Sequence, residues 1–420
     1  MSAAAKQMTA LDRATEEAWT TPLDKIDVSR SDRFASNTHW PFFERLRKEA
    51  PVHYCADSMH GGYWSITKFH DIVAVDANHQ VFSSQNNIAI GDNPPEFNPP
   101  MFIAKDPPVH DVQRRAASPA VGPTRLSELE ALIRERAGAI LDSLPRNETF
   151  NWVDRVSIEL TTQMLATLFD FPWEDRRLLP FWSDAATSSE TVGNTTITME
   201  QRQQILMECL TYFMRLWEER KAMPPKFDFI SLLAHDPATK NLTDNPLEFL
   251  GNLMLLIVGG NDTTRNSISG GVLALNQFPG EYEKLRADHS LATNMVSEII
   301  RWQTPLAHMR RTALEDFEFK GNKIKKGDRV VMWYVSGNRD DEVIERPNDF
   351  VIDRNRARHH VSFGFGIHRC MGNRVAEMQL RVLWEEILKR FDRIEVMGEP
   401  ERVPSNFVQG YTTLPVRIPG

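Results

Sequence analysis

The chain has 420 residues, 41% of them hydrophobic, and a formal charge of −8 at pH 7, enough apolar material for a large core and a balance that argues against nucleic acid as a general partner. Its three cysteines, Cys55, Cys209 and Cys370, are far apart and odd in number, which argues against a disulfide framework and favours a reducing compartment. The longest aliphatic run, Leu253 to Val258, is far short of a bilayer span, and Met1 to Trp19 mixes charges with no apolar core, so a cytoplasmic protein with no membrane anchor is expected.

Residues 1–23 are expected to form a flexible segment and residues 24–420 a single domain. Around Gly61-Gly62, the short apolar stretches Val52-His53-Tyr54 and Tyr63-Trp64-Ser65-Ile66 predict a small sheet. The stretch Asn86 to Lys105 is apolar and proline-rich, and Ile88 and Phe102 within it are candidate pocket residues. Asp106 to Arg114 reads as a capped helix start that puts His110 and Arg114 on one face. Long amphipathic helices follow to about Leu291.

Among them, Asn245 to Gln277 stands out: Asn245 can cap, Pro246 suits the first turn and Pro279-Gly280 stops the helix. At 1.5 Å rise per residue it would cover roughly 48 Å, enough to cross a domain. Its middle, Gly259-Gly260-Asn261-Asp262-Thr263-Thr264, is poor helix material, and such failures of local propensity tend to mark function. Further on, Glu298 and Arg301 are three apart and can pair on one face. Phe317 to Met332 is strand-rich, with Lys320 to Lys323 as a turn, and Asn338 to Phe363 is a long irregular stretch of the kind that carries function.

The segment Phe363-Gly364-Phe365-Gly366-Ile367-His368-Arg369-Cys370-Met371-Gly372 precedes the helical pattern Ala376, Leu380, Leu383, Ile387, Phe391. The cysteine therefore lies at a helix N-terminus, where free N–H groups favour a thiolate. Its glycines let the backbone approach a flat cofactor. A zinc site from Cys370 with His368, His359 and His360 is the competing reading, weakened by the lack of a second cysteine pair.

The spacing Phe-Gly-x-Gly-x-His-x-Cys-x-Gly resembles the heme signature of the cytochrome P450 superfamily. The resemblance implies a mainly α fold with small β-sheets, a long central helix over a buried heme b, and Cys370 as the iron ligand, with Phe363, Gly364, Gly372 and Gly259 beside the cofactor. It implies that Thr263 and Asp262 manage protons for dioxygen, and that His110, Arg114, Arg311 and His368 hold the heme propionates, with Arg310 competing for the place of Arg311. It implies that Glu298 and Arg301 brace the core. The family often adds an Arg in a Pro-x-Arg-Phe segment, whereas this chain reads Pro347-Asn348-Asp349-Phe350, and Asp349 is expected to pair with Arg301 instead.

With no dinucleotide-binding fingerprint in the chain, electrons must come from separate proteins, a ferredoxin and its reductase. Arg114, Arg115, Arg369 and Arg374 offer a basic docking face. Gln303 to Arg311, Ser362 to Gly372 and Pro404 to Tyr411 resemble the soluble bacterial alkane hydroxylases of the superfamily, which implies terminal hydroxylation of medium-chain alkanes or fatty acids. An apolar linear substrate would meet Ile88, Phe102, Leu253, Leu256, Leu306, Phe407 and Val408, with Gly260 keeping the oxygen side open. A terpenoid or steroid hydroxylase, and a heme sensor without turnover, are the alternatives.

Overall fold

The computed structural model describes residues 8–85 and 87–420. Residues 1–7 of the segment expected to be flexible, and Asn86 at the start of the proline-rich stretch, lie outside the described residues. Within that N-terminal segment Ala10–Thr20 is helical: Thr9 accepts from the Asp12 backbone N–H and Asp12 returns the bond, a capping box. Ala14 and Ala18 bury the helix against Phe42, Phe43 and Leu46, and residues this small let it pack closely.

Five short strands form the main sheet, in the order Val52–Cys55, Tyr63–Ile66, Arg329–Met332, Met309–Ala313, Phe82–Ser83. Tyr63–Ile66 runs parallel to Arg329–Met332, and the other pairings are antiparallel. The hairpin Phe317–Phe319 to Asn322–Ile324 turns through Lys320 and Gly321, both at positive φ. Near the C-terminus, Glu401–Arg402 pairs Tyr411–Thr413, and Pro415–Arg417 pairs both Thr149–Asn151 and Glu395–Val396.

Everything else is built around the helix Pro246–Gln277, 32 residues without interruption. Asn245 caps it by accepting from the Glu248 N–H at 3.3 Å. Its first half, including Phe249, Leu250 and Ile257, is buried in one apolar cluster with the helices Glu159–Leu168, Leu178–Thr187 and Met199–Lys221. Its last part, Ile268 to Leu275, is buried in a second cluster with the helices Ala292–Gln303 and Asn373–Arg390. The glycine- and hydroxyl-rich segment lies between the two clusters, where one side of the helix meets the cavity and the other meets Glu159–Leu168, whose Thr161 donates to Asn261 Oδ1 at 2.9 Å.

The proline-rich stretch docks on the same helix. A Cβ at Gly251 would lie 2.0 Å from the Pro100 carbonyl oxygen, so only glycine permits this approach. At the next residue, the Asn252 side chain accepts from the Phe102 N–H at 2.8 Å.

Candidate functional site

Cys370 ends a tight loop. Its N–H donates to Phe363 O at 2.8 Å, and Gly372 caps the helix Asn373–Arg390 two residues later. Gly364 and Gly366 both sit at φ +66, and a Cβ at Gly366 would lie 2.7 Å from Asp76 O. The sulfur is exposed to an interior cavity while protein surrounds it on its other sides. That burial pushes the thiol up, opposed by the N–H groups of Gly372 and Asn373 and the charges of Arg114 and Arg369. Among the described residues no three His, Cys, Asp or Glu side chains converge as a metal-binding group, so the zinc reading has no geometry behind it.

Across the cavity the central helix presents Gly259, Gly260, Thr263 and Thr264. Nothing lies within 4 Å of a Cβ built at Gly259, whereas one at Gly260 would meet Leu165 Cδ2 at 2.7 Å. The open position is therefore Gly259, and Gly260, expected to keep space free, mainly admits Leu165. The Thr263 hydroxyl donates to Gly259 O at 3.1 Å. Asp262, fully buried, does not line the cavity: it pairs with Arg265 at 2.9 Å, and Arg265 pairs with the half-exposed Asp184 at 2.7 Å. Burial pushes the Asp262 carboxyl up to about 6, against the pull of Arg265. Its Oδ2 has no hydrogen-bond partner.

The basic candidates come together beside the Cys370 loop. The rings of His110 and His368 meet edge to face, centroids 4.3 Å apart. Both nitrogens of His368 and Nε2 of His110 are buried without partners. Burial, then Arg311, His110 and Arg114, drive the His368 imidazole down to about 2. Arg114 donates to Arg369 O at 2.5 Å and Arg311 to Asp76 at 2.7 Å, and both line the cavity. Arg310 turns away to Asp92 at 2.5 Å and is not a member of this group. Imidazole nitrogens without partners on His368 and His110, whose Nδ1 meets Asp111 at 2.8 Å, with two guanidinium groups, a cysteine at a helix start and glycines open to the cavity at Gly259 and Gly372, suit a flat, iron-bearing dianion. The residues fit heme.

Asp76 was not singled out from the sequence. Its buried carboxylate accepts from Arg311, from the Tyr334 hydroxyl at 2.9 Å and from the Phe365 N–H at 2.8 Å, tying the cysteine loop to the sheet. The available signal was a carboxylate four residues after Ile72, on the buried face of the helix Phe69–Ala77.

Glu298 and Arg301 are fully buried and paired through two bonds, 2.7 and 2.8 Å. The third member is Arg354, at 2.9 Å from Glu298, and not Asp349. Only the Asp349 backbone carbonyl contributes, accepting from Arg301 at 2.9 Å and from Arg354 at 3.0 Å. Its carboxylate pairs with Arg346 at the surface, 2.8 Å away.

Of the apolar candidates, Ile88, Phe102, Leu256, Leu306 and Phe407 line the cavity. Leu253 is core, packed in the first apolar cluster, and Val408 lies behind Phe407, its backbone bridged to Leu306. Lining residues missed from the sequence include Met164, Thr191 and Arg202.

A family model for cytochrome P450 matches residues 191–417. Linalool 8-monooxygenase of Pseudomonas putida is 34% identical over 408 residues, 94% of this chain and 99% of its own length. The methyl-branched lipid omega-hydroxylase of Mycobacterium bovis is 31% identical over 417 residues, 94% of this chain and 95% of its own. The structure of cytochrome P450-153 from Novosphingobium aromaticivorans is 48% identical with a TM-score of 0.87, covering 93% of this chain and 99% of that one.

Proposed function

The chain belongs to the cytochrome P450 family of heme b monooxygenases, and from that premise we propose that it hydroxylates the terminal methyl group of a linear apolar chain, a medium-chain alkane or fatty acid. The observation that carries this reading is the wall formed by Ile88, Leu306 and Phe407. Three separate segments supply it, and their backbones are locked together: Arg310 N–H donates to Ile88 O at 2.7 Å and Ala307 N–H to Phe407 O at 2.8 Å. A terminal C–H bond is stronger than its secondary neighbours, so attack there requires a rigid wall that presents only the chain end. A relative named for lipid omega-hydroxylation supports the same position of attack.

When bound, heme b supplies the redox and oxygen-activating chemistry. Cys370 would hold its iron as a thiolate, the form that the Gly372 and Asn373 N–H groups and the charges of Arg114 and Arg369 favour against burial. His110, Arg114, Arg311 and His368 would neutralise its propionates. The Thr263 hydroxyl, parked on Gly259 O, is the donor facing the cavity. Asp262 would collect protons on its free Oδ2, while Arg265, itself paired with the half-exposed Asp184, holds its other oxygen in place. Apolar side chains exclude water from the reacting end.

Electrons would come from a ferredoxin and its reductase. Arg115, Arg369 and Arg374 are exposed around the Cys370 loop and offer an acidic donor a complementary face. A branched terpenoid is the second reading, favoured by the linalool relative.

The test is Leu306→Ala with decane as substrate. One or two methylenes in an apolar pocket are worth about 1–3 kcal/mol, so the ratio of terminal to subterminal alcohol should fall by roughly tenfold. An unchanged ratio removes Leu306 from the account of selectivity.

A further inference from the structure

The cavity wall carries a cation with no counter-charge. Arg202, in the first turn of the helix Met199–Lys221, is only 8% exposed. Among the described residues its Nε and Nη1 have no hydrogen-bond partner, and Nη2 donates only to Ala186 O at 3.2 Å. Besides that bond it has the Phe97 ring 5.8 Å away, whereas the buried Arg265, Arg301, Arg310 and Arg311 each face a carboxylate and Arg47, without one, donates to Ser336 Oγ at 2.9 Å. Arg339, also without one, is held between the rings of Trp40 and Trp302 and lies outside this cavity.

Burial alone acts on the Arg202 guanidinium and lowers it from its ordinary value, with no acidic side chain opposing. A buried guanidinium with free donors is costly unless a ligand completes it. Its surroundings are the polar part of the wall. Thr187, which ends the helix Leu178–Thr187, and Ser189 and Thr191, in the loop from there to Met199–Lys221, line the cavity with it. That loop is fastened to the other cover segments, Gly91 N–H donating to Thr191 O at 3.1 Å and Asn406 N–H to Val192 O at 3.0 Å. Arg202 thus belongs to the cover of the cavity, and Cys370 to the loop beneath the central helix.

We infer that Arg202 anchors the carboxylate of the substrate, so that the preferred chain is a fatty acid with its anionic head under the cover loops and its methyl end toward Cys370. The inference rests on the terminal-hydroxylase reading and specifies its substrate class. A guanidinium suits a carboxylate in charge and geometry, and an alkane would leave the cation unpaired.

Spectral titration of the heme-loaded protein with dodecanoate and with methyl dodecanoate tests it, since the two share the same acyl chain and the ester replaces the head-group charge with one methyl. Wild type should bind the acid about tenfold to a hundredfold more tightly, the worth of hydrogen bonds to a charged group. In Arg202→Leu the ratio should fall to about one, while Arg202→Lys keeps a preference for the acid. Equal affinities in wild type, a comparison that needs no variant to fold, would overturn the inference. So would a ratio unchanged in Arg202→Leu. Product position from dodecanoate in wild type reports separately on the hydroxylase reading: subterminal alcohols with an intact acid preference reject that reading and leave Arg202 as the anchor.

Discussion

Asp262 is held by Arg265 on one carboxylate oxygen and by nothing on the other, and its proton is retained to about pH 6 because burial disfavours the charge. As the folded pKa lies above the ordinary carboxylate value, the protonated form available for delivery is lost as pH rises through about 6. The fraction of reducing equivalents recovered as product should therefore decline across that range in wild type. In Asp262→Asn it should be lower and flat, and an unaltered pH profile in that variant would remove Asp262 from the relay. The acid–threonine pair was legible in the sequence, but its orientation was not. Successive helical residues point about 100° apart, so with Thr263 and Thr264 on the cavity, Asp262 on the other side of Thr263 turns toward Arg265. The same geometry explains Gly259, which shares a face with Thr263 four residues on, where the sequence reading had assigned the open space to Gly260.

Between elements, the buried pair of Glu298 and Arg301 is completed from the irregular stretch by Arg354. A loop has no period from which to read its facing, so spacing from Pro347 directed attention to Asp349, and the contributing arginine stands four residues after Phe350. Removing one partner of a buried ionic network leaves charge uncompensated, which costs on the order of 3–5 kcal/mol. Arg354→Leu should accordingly lower the temperature at which bound heme is lost. Asp349→Ala removes only a surface pair with Arg346, and its cost should stay within about 1 kcal/mol. Equal effects of the two substitutions would contradict the assignment. Asp76 escaped notice for a related reason: its three partners come from distant strands and loops, and only the position of a carboxylate on an apolar face hinted at them.

Across the whole molecule, two apolar cores flank a seam of small and hydroxyl residues on one helix, and the cysteine loop faces that seam. The helical class, the small sheets and the central helix were readable because caps, periodicity and prolines bound them locally. Of the cover, the segments near residues 91 and 406 were expected from their apolar composition, whereas the loop near 191, and the backbone bonds that fasten it to them, could not be read. Those fastenings make the cover of the cavity a fixed wall, with the cation of Arg202 in it and Cys370 on the loop beneath the central helix. Terminal attack on a linear chain is the central claim. Its most direct measurement is the product distribution from dodecanoate with purified wild-type protein and an electron-donor pair: the 12-hydroxy acid should predominate, and a mixture dominated by 11-, 10- and 9-hydroxy acids would contradict the account.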